Sequence, residues 1–284
     1  MTLSNKRVSR SNLGTLCILF FLALLGVVMM VPLVYALLQS LKPMEEIFVF
    51  PPRFWVSRPS LENFASLFRL ASDLWVPFSR YAFNSVFIAV VCTTIQLFFA
   101  SLAAYPLAKQ KFRGRDALFN VVVISLMFTG DVLGLPHFML VSVLGITDTY
   151  WAMIIPTMAY PMGLFLMRQN MLALPDALME AARIDGAPER VVFWKIVMPN
   201  MKSAFMTMAV FSFGSMWGRA DGTYIYSEQL KGLPTMITQI SSAGIARAGV
   251  AAAATVLMMI PPILVFIISQ SQVIEAMTNS GIKE

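Results

Sequence analysis

The sequence contains 284 residues, of which 58% are apolar and only 13% are charged, and its mean hydropathy is +0.72. Charged residues make up about a quarter of an ordinary soluble domain, so this composition excludes that class and indicates a polytopic membrane protein. The net charge of +6 does not indicate a nucleic-acid partner, because the basic residues are distributed by loop and do not form one face with interleaved aromatic residues.

The residues that usually build metal and redox sites are sparse. Cys17 and Cys92 both lie in apolar runs, which predicts no disulfide framework. His137 is the single histidine, and no stretch carries a paired His-Glu pattern. We therefore expect no metal site and no catalytic residues in this chain.

The first long apolar run, 13–41, follows Lys6, Arg7 and Arg10 and carries no charge. It is longer than the roughly 20 residues that cross a bilayer. A cleaved secretory signal is the alternative, but the run is too long for a signal's apolar core and lacks a clear small-x-small cleavage site. We expect a retained first span, followed by a long polar loop.

A cluster of basic residues orients the chain. The second uncharged run ends at Lys109, Lys111, Arg113 and Arg115, and such clusters mark cytoplasmic loops. The predicted segments are, in chain order, 13–41 (first span), 42–80 (extracytoplasmic loop), 81–108 (second span), 117–144 (third span), 149–168 (fourth span), 174–199 (cytoplasmic loop), 201–219 (fifth span), 220–248 (extracytoplasmic loop), 249–269 (sixth span) and 270–284 (cytoplasmic tail).

These segments predict a single all-α transmembrane domain, because each span must satisfy its own backbone hydrogen bonds in lipid. Six spans place both termini in the cytoplasm. The fifth span is unusual, because it is short and contains Gly214 and Gly218. Short, glycine-interrupted spans often mark binding sites in transporters.

The loop 174–199 is a polar island between apolar segments, and it predicts two short helices. Pro175 and Asp176 suit the start of the first helix, and Gly186 favours the left-handed conformation that ends it. Pro188 and Glu189 repeat the proline-then-acid opening, and Pro199 is predicted to end the second helix.

A spaced motif runs through this loop, with the pattern EAA-x-x-D-G-(x)9-I-x-x-P. Its members are Glu180, Ala181, Ala182, Asp185, Gly186, Ile196 and Pro199. The pattern resembles the EAA signature of permease subunits of bacterial ABC importers. The resemblance implies the type I ABC importer permease fold and a coupling helix that docks on an ATP-hydrolysing subunit, with Glu180 at that contact. We name 174–199 the EAA segment.

Further stretches resemble the carbohydrate, MalG-like branch of these permeases. They include FVFPP at 48–52 and PSLENF at 59–64. The resemblance implies an importer of a sugar or oligosaccharide in the bacterial inner membrane. Its implied partners are a second homologous permease subunit, two ATP-binding subunits and an extracytoplasmic solute-binding protein. The region 228–244 is placed like the family's loop that reaches into that binding protein, the alternative being a re-entrant cap without a partner.

This chain has no GxxxxGK[ST] phosphate-binding motif, so we expect no cofactor and no enzymatic activity in it. ATP and Mg²⁺ would be bound by a partner subunit. Two alternatives stay open: a permease for another solute such as a peptide or polyamine, and an ion-coupled secondary transporter. A secondary transporter would more typically show ionisable residues on several spans.

Four residues are candidates for the substrate pathway, namely Asp131, Trp217, Arg219 and Asp221. Ionisable groups within a membrane are costly and usually functional. Arg219 and Asp221 could instead lie solvated at the outer interface or pair with each other. Relatives in the resembled family carry Trp-Asn-Asp/Glu at this point, and the arginine found here suggests an acidic sugar.

Overall fold

The computed structural model describes residues 12–72, 75–128, 130–219, 224–242, 244 and 247–281. Within these residues the chain forms helices and no strand, which confirms the all-α prediction. The α-helices are α1 (Asn12–Leu41), α2 (Met44–Ile47), α3 (Glu62–Ser72), α4 (Phe78–Lys109), α5 (Arg115–Ser125), α6 (Gly130–Val143), α7 (Tyr150–Thr157), α8 (Pro161–Leu172), α9 (Ala177–Ile184), α10 (Glu189–Val191), α11 (Met198–Asn200), α12 (Lys202–Trp217), α13 (Leu233–Ser241) and α14 (Ala248–Gly281). A π-helical turn, Val192–Val197, joins α10 to α11, and a 3₁₀ turn, Glu228–Leu230, precedes α13.

In the part of the chain that the structure describes, four helical stretches are long and apolar enough to cross a membrane: Gly14–Leu41, Phe78–Lys109, Tyr150–Leu172 and Ala248–Ser271. They correspond to the predicted first, second, fourth and sixth spans. A shorter apolar helix covers Val132–Val143. The number of six spans, and the position of the termini, remain predictions.

The predicted third span, 117–144, consists of two helices. After α5 ends at Ser125, the amide nitrogens of Leu126, Met127 and Phe128 each bond the carbonyl three residues earlier, at 3.2, 3.0 and 3.3 Å. Such tightened turns are typical of helix ends. The next helix, α6, begins at Gly130.

The predicted fourth span, 149–168, is also interrupted. Its first part, α7, ends at Thr157, and α8 begins at Pro161 and continues to Leu172. Tyr160, which precedes the proline, has φ −124° and ψ 81°, outside the helical region. This is expected, because a proline ring disfavours the α conformation of the residue before it.

The described residues form two compact units. The first comprises those up to Arg69 and those between 243 and Leu257. In it the end of α1 is fixed by Asn63, whose amide donates to the carbonyls of Ser40 and Lys42 at 2.9 and 2.7 Å. The second unit comprises the described residues from Leu70 to Ser242 and from Met258 onward, and it contains the EAA segment.

The second unit is arranged around α4. This helix packs against α7, α8, α12 and α13, and about half of its residues are buried. Glycine permits the closest packing nearby, because a Cβ atom on Gly163 of α8 would lie 2.2 Å from the ring of Tyr160 and 2.8 Å from Met208 of α12. The core beside the EAA segment is rich in methionine: Met167, Met171, Met179, Met201 and Met208 are all buried.

Candidate functional site

The first helix of the EAA segment ends at Gly186, as the sequence predicts. Gly186 has φ +79°, and its amide donates to the carbonyl of Arg183 at 3.0 Å. The next amide, of Ala187, donates to the carbonyl of Ala182 at 2.9 Å. These two bonds form a Schellman motif, which requires a left-handed residue at the position of Gly186.

Two boundary predictions in this segment are wrong. The first helix begins at Ala177, so Pro175 precedes the helix and Asp176 lies immediately before its first residue. Pro199 does not end the second helix but lies inside α11, and α12 begins soon after at Lys202. The helical stretch from Glu189 to Asn200 is continuous, and the π turn that directly precedes Pro199 relaxes the α geometry with which the proline would clash.

The EAA segment has one buried face and one exposed face. Met179 and Ala182 are buried together with Val192, Phe193 and Val197 in a single apolar core. On the opposite face of α9, Ile184 is 86% exposed, and Leu178, which borders the buried face, is 46% exposed. Among the signature residues, Ala182 is buried, Ile196 is partly buried, and the exposed ones are Glu180, Ala181, Asp185, Gly186 and Pro199. The signature thus combines residues that pack the segment with residues that face outward.

Lys109, the last residue of α4, fixes the start of the EAA segment. Its ammonium group lies 2.6 Å from a carboxylate oxygen of Asp176 and 2.5 Å from the carbonyl of Leu174, and its side chain is only 4% exposed. The hydrogen bond and the charge of Lys109 lower the pKa of Asp176 below its ordinary value. The carboxylate is therefore ionised at neutral pH.

A second attachment links α4 to the turn between the two short helices. The hydroxyl of Tyr105 donates to one oxygen of Glu189 at 2.6 Å, and the guanidinium of Arg183 donates to the other at 2.8 Å. These bonds, that of Arg183 above all, lower the pKa of Glu189. The ring of Tyr105 also packs on Phe193, with 5.3 Å between the centroids. Sequence reasoning missed this network, because Tyr105 and Glu189 are 84 residues apart.

Of the four predicted pathway residues, the structure describes the side chains of Trp217 and Arg219. Trp217 is buried, and its indole N–H donates to the carbonyl of Met258 at 2.8 Å. Arg219 is half-buried just beyond the end of α12. The side chain of Asp131 and all of Asp221 lie outside the described residues.

A buried polar cluster, which the sequence did not predict, lies at the end of α7, where the predicted fourth span is interrupted. The amide nitrogen of Gln96 on α4 donates to the carbonyl of Thr157 at 2.9 Å. The hydroxyl of Ser212 on α12 donates to the amide oxygen of Gln96 at 2.5 Å. A helix end in an apolar interior needs such partners. The signal in the sequence that could have indicated this cluster is Gln96, an amide side chain within the uncharged run 81–108.

The opposite end of α4 holds the segment 224–242. The amide nitrogen of Asn84 donates to the carbonyls of Gln229 and Lys231, both at 2.9 Å. The hydroxyl of Tyr81 donates to Glu228 at 2.9 Å, and the hydroxyl of Ser85 accepts the backbone N–H of Leu233 at 2.7 Å. This segment overlaps the region 228–244 that the resemblance places at a binding-protein contact.

Among the described residues, no group of three or more histidine, cysteine, aspartate or glutamate side chains could hold a metal ion. In the EAA segment, Asp176, Arg183 and Glu189 are engaged in ion pairs. The arrangement is suited to fixing one segment against α4 while leaving the other face of that segment free for a contact.

Comparison with known proteins agrees with these features. The family described as "Binding-protein-dependent transport system inner membrane component" matches residues 96–279. Protein LplC of Bacillus subtilis is 34% identical over 221 residues, covering 76% of this chain and 70% of LplC. The arabinooligosaccharides transport system permease protein AraQ of Halalkalibacterium halodurans is 31% identical over 273 residues, covering 92% of this chain and 94% of AraQ.

A solved structure has the same fold. It is described as a bacterial ABC transporter involved in the import of the acidic polysaccharide alginate. The similarity covers 92% of this chain and 98% of the solved chain, with 21% identity and a TM-score of 0.75. The family model matches more than half of the chain, and LplC and AraQ are each more than 30% identical to it over most of its length. This chain therefore belongs to the family of inner-membrane components of binding-protein-dependent transport systems.

Proposed function

We propose that this chain is a permease subunit of an ATP-driven importer for an oligosaccharide, and that its EAA segment docks on a separate ATP-binding subunit. In this proposal the EAA segment and both termini lie in the cytoplasm, and 220–248 lies outside. A second permease subunit completes the pathway, and ATP and Mg²⁺ bind only to the ATP-binding subunits. An oligosaccharide as the substrate is supported by the name of AraQ, a permease for arabinooligosaccharides.

The observation that carries the proposal is the exposed face of α9. Ile184 and Leu178 are apolar and exposed, although Met179 and Ala182 of the same helix are buried in the core. Full burial of an isoleucine side chain is worth about 1.5–3 kcal/mol. A partner subunit can shift the permease between two conformations only if its contacts with the permease differ between them. Contacts with the exposed face of α9 that change between the two conformations would provide this difference.

The rigidity of the segment supports the same role. Gly186 closes a Schellman motif, Lys109 ties the start of the segment to α4, and Tyr105 ties the turn between the two short helices to α4. A helix held in this way moves as a body with the membrane helices. Force from an ATP-binding subunit would therefore reach α4 and would not be absorbed by a flexible loop.

The decisive experiment compares Ile184→Asp with the wild-type chain in the purified complex with its binding protein. We expect the aspartate to reduce ATP hydrolysis stimulated by loaded binding protein about tenfold or more, or to prevent recovery of the ATP-binding subunit with the permease, because it removes the apolar contact. Phe112→Asp is the matched control, since Phe112 is 40% exposed in the other predicted cytoplasmic loop.

The proposal fails if no ATP-binding subunit is recovered with the wild-type chain. It also fails if Ile184→Asp hydrolyses ATP and transports substrate like the wild type. An ion-coupled transporter would then explain the fold better, and uptake should follow an ion gradient in vesicles without ATP. If Phe112→Asp has the same effect as Ile184→Asp, the docking face is larger than α9.

A further inference from the structure

Two tyrosines of α4 make equivalent contacts at opposite ends of the helix. Tyr81 donates to Glu228 of the segment 224–242 at 2.9 Å, and Tyr105 donates to Glu189 of the EAA segment at 2.6 Å. The helix between them is continuous. At a rise of 1.5 Å per residue, the two tyrosines lie roughly 36 Å apart, more than the thickness of the hydrocarbon core of a bilayer.

Both carboxylates are charged when they accept these bonds. The hydrogen bond from Arg183, followed by that from Tyr105, lowers the pKa of Glu189. At Glu228, burial acts to raise the pKa, but the bonds from Lys231 and Tyr81 outweigh it, so the pKa is lowered. Hydrogen bonds to ionised acceptors are about twice as strong as neutral ones. Each end of α4 is thus attached by a strong and directional contact.

Further contacts reinforce both attachments. At the first end, Asn84 holds two carbonyls of the segment 224–242 and accepts the hydroxyl of Tyr150 at 2.7 Å. At the other end, Lys109 holds Asp176 and the carbonyl of Leu174. Neither segment can shift along the helix axis without breaking several bonds at once.

The middle of α4 is fixed as well. Gln96 joins it to Thr157 at the end of α7 and to Ser212 on α12, in a buried setting. Polar bonds in an apolar interior are costly to break, because the separated groups find no water. The helix therefore cannot slide alone, and a displacement at one end moves its neighbours and its other end.

We infer that Tyr81 and Tyr105 are positioning residues that connect the outer segment 224–242 to the EAA segment through α4, so that contact with loaded binding protein outside changes the seating of the EAA segment inside. This inference rests on the proposed function. It assigns the transmembrane connection to side-chain contacts of a helix that is covalently adjacent to neither segment.

The test is a double-mutant cycle on the stimulation of ATP hydrolysis, defined as the rate with loaded binding protein divided by the basal rate. Tyr81→Phe and Tyr105→Phe each remove one hydroxyl and keep the ring. We expect each single variant to lower the stimulation about threefold to tenfold, the size of one lost hydrogen bond. We expect the stimulation of the double variant to be no lower than that of the more strongly affected single variant, because the two substitutions interrupt the same connection.

Tyr160→Phe is the matched control, because within the described residues no hydrogen bond to the Tyr160 hydroxyl is formed. It should leave the stimulation unchanged. Two sites this far apart normally have additive effects, so a product of the two single effects in the double variant would overturn the inference. No change in either single variant would overturn it as well.

The outcome also separates this inference from the proposed function. If the wild-type complex shows no stimulation by loaded binding protein, the proposed function itself is wrong. If the wild type is stimulated and the two tyrosines act independently, only the connection through α4 is wrong.

Discussion

The helices α1 and α4 are similar in length and both are apolar enough to span a membrane, yet they differ in what they contact. The membrane-spanning window of α1 is 0% buried within this chain, whereas that of α4 is 44% buried. Along α1, large apolar side chains such as Phe20 and Met29 point outward on all sides. Along α4, a polar group recurs near each end and in the middle, and each of these groups bonds another segment.

This difference shows that apolar character decides whether a helix enters the membrane, while a few polar side chains decide which helices hold together there. Between apolar surfaces in lipid there is no hydrophobic driving force, so packing and hydrogen bonds must supply the association. We therefore expect substitutions in α4 and its neighbours to be costly, and equivalent substitutions in α1 to be mild.

The largest expected effect comes from Gln96→Leu in α4. It leaves the carbonyl of Thr157 and the hydroxyl of Ser212 without their partner, which we expect to lower the free energy of unfolding by about 2–4 kcal/mol. Gln39→Leu in α1 is the control, since the side chain of Gln39 bonds only Tyr35 of the same helix within the described residues. Equal effects of the two changes would refute the distinction.

Both variants can be measured through the native cysteines. Cys92 on α4 is buried and Cys17 on α1 is exposed. In a Cys17→Ser background, a thiol-reactive dye reports only on the opening of the helices around α4. The temperature at which Cys92 reacts should fall for Gln96→Leu and stay constant for Gln39→Leu.

An intermediate effect is expected from Gly163→Ala, next to α4. The added methyl group would overlap the ring of Tyr160 and the end of Met208, and overpacking of this kind typically costs about 1–3 kcal/mol. Gly26→Ala in α1 is the matched control, because nothing lies within 4 Å of its added Cβ. The same Cys92 assay measures both, and a neutral Gly163→Ala would mean that α8 and α12 separate easily.

The smallest effect is expected from Lys109→Met, and it should depend on pH. Lys109 lowers the pKa of Asp176, so the pair stabilises the folded state above the ordinary pKa of 3.8, and this contribution disappears as the pH falls through the lowered value. Wild type and variant should therefore differ at pH 7 and converge at the acid end.

Lys42→Met, just after the end of α1, is the control, because it removes a lysine that is not the main cause of the lowered pKa of its neighbouring carboxylate. Lys42 is near Glu46, but a backbone hydrogen bond from Ser57 is the main cause of the lowered pKa of Glu46. The difference between this variant and the wild type should change little with pH. Thermal unfolding at several pH values checks both variants, and a pH-independent effect of Lys109→Met would show that the ion pair contributes nothing.

The sequence was sufficient to locate the long helices. The run predicted as 13–41 is helix 12–41, and the run predicted as 81–108 is helix 78–109, because charged or proline-containing stretches bound both. The end of α9 at Gly186 was also predictable, since few residues adopt positive φ without strain. These are local properties, which hydropathy and backbone preference determine.

Interruptions within the spans were not predictable from hydropathy. The residues around Tyr160 and around Met127 are as apolar as their neighbours, so a hydropathy average passes over both breaks. Arg168 is a further case, because the sequence predicts it as the last residue of the fourth span. The structure buries it within α8, where its guanidinium lies 3.7 Å from the centre of the Phe119 ring and donates to the carbonyl of Leu107. A cation–π contact and a hydrogen bond compensate its burial.

The contacts of the EAA segment with α4 could not be predicted from the sequence either. Lys109 and Asp176 are 67 residues apart, and Tyr105 and Glu189 are 84 residues apart. No local spacing reports such pairs. The motif indicated which residues matter in the segment but not what holds it in place.

The π-helical turn Val192–Val197 has a consequence for how the EAA segment tolerates a change in length. A π turn contains one residue more than an α turn, so a deletion there is absorbed by a return to α geometry, and the flanking helices keep their orientation. The same deletion in α9 would rotate every following residue by about 100° and turn Ile184 away from its exposed side. A variant that lacks one residue within 192–197 should therefore lose the signature spacing but keep the orientation of α9.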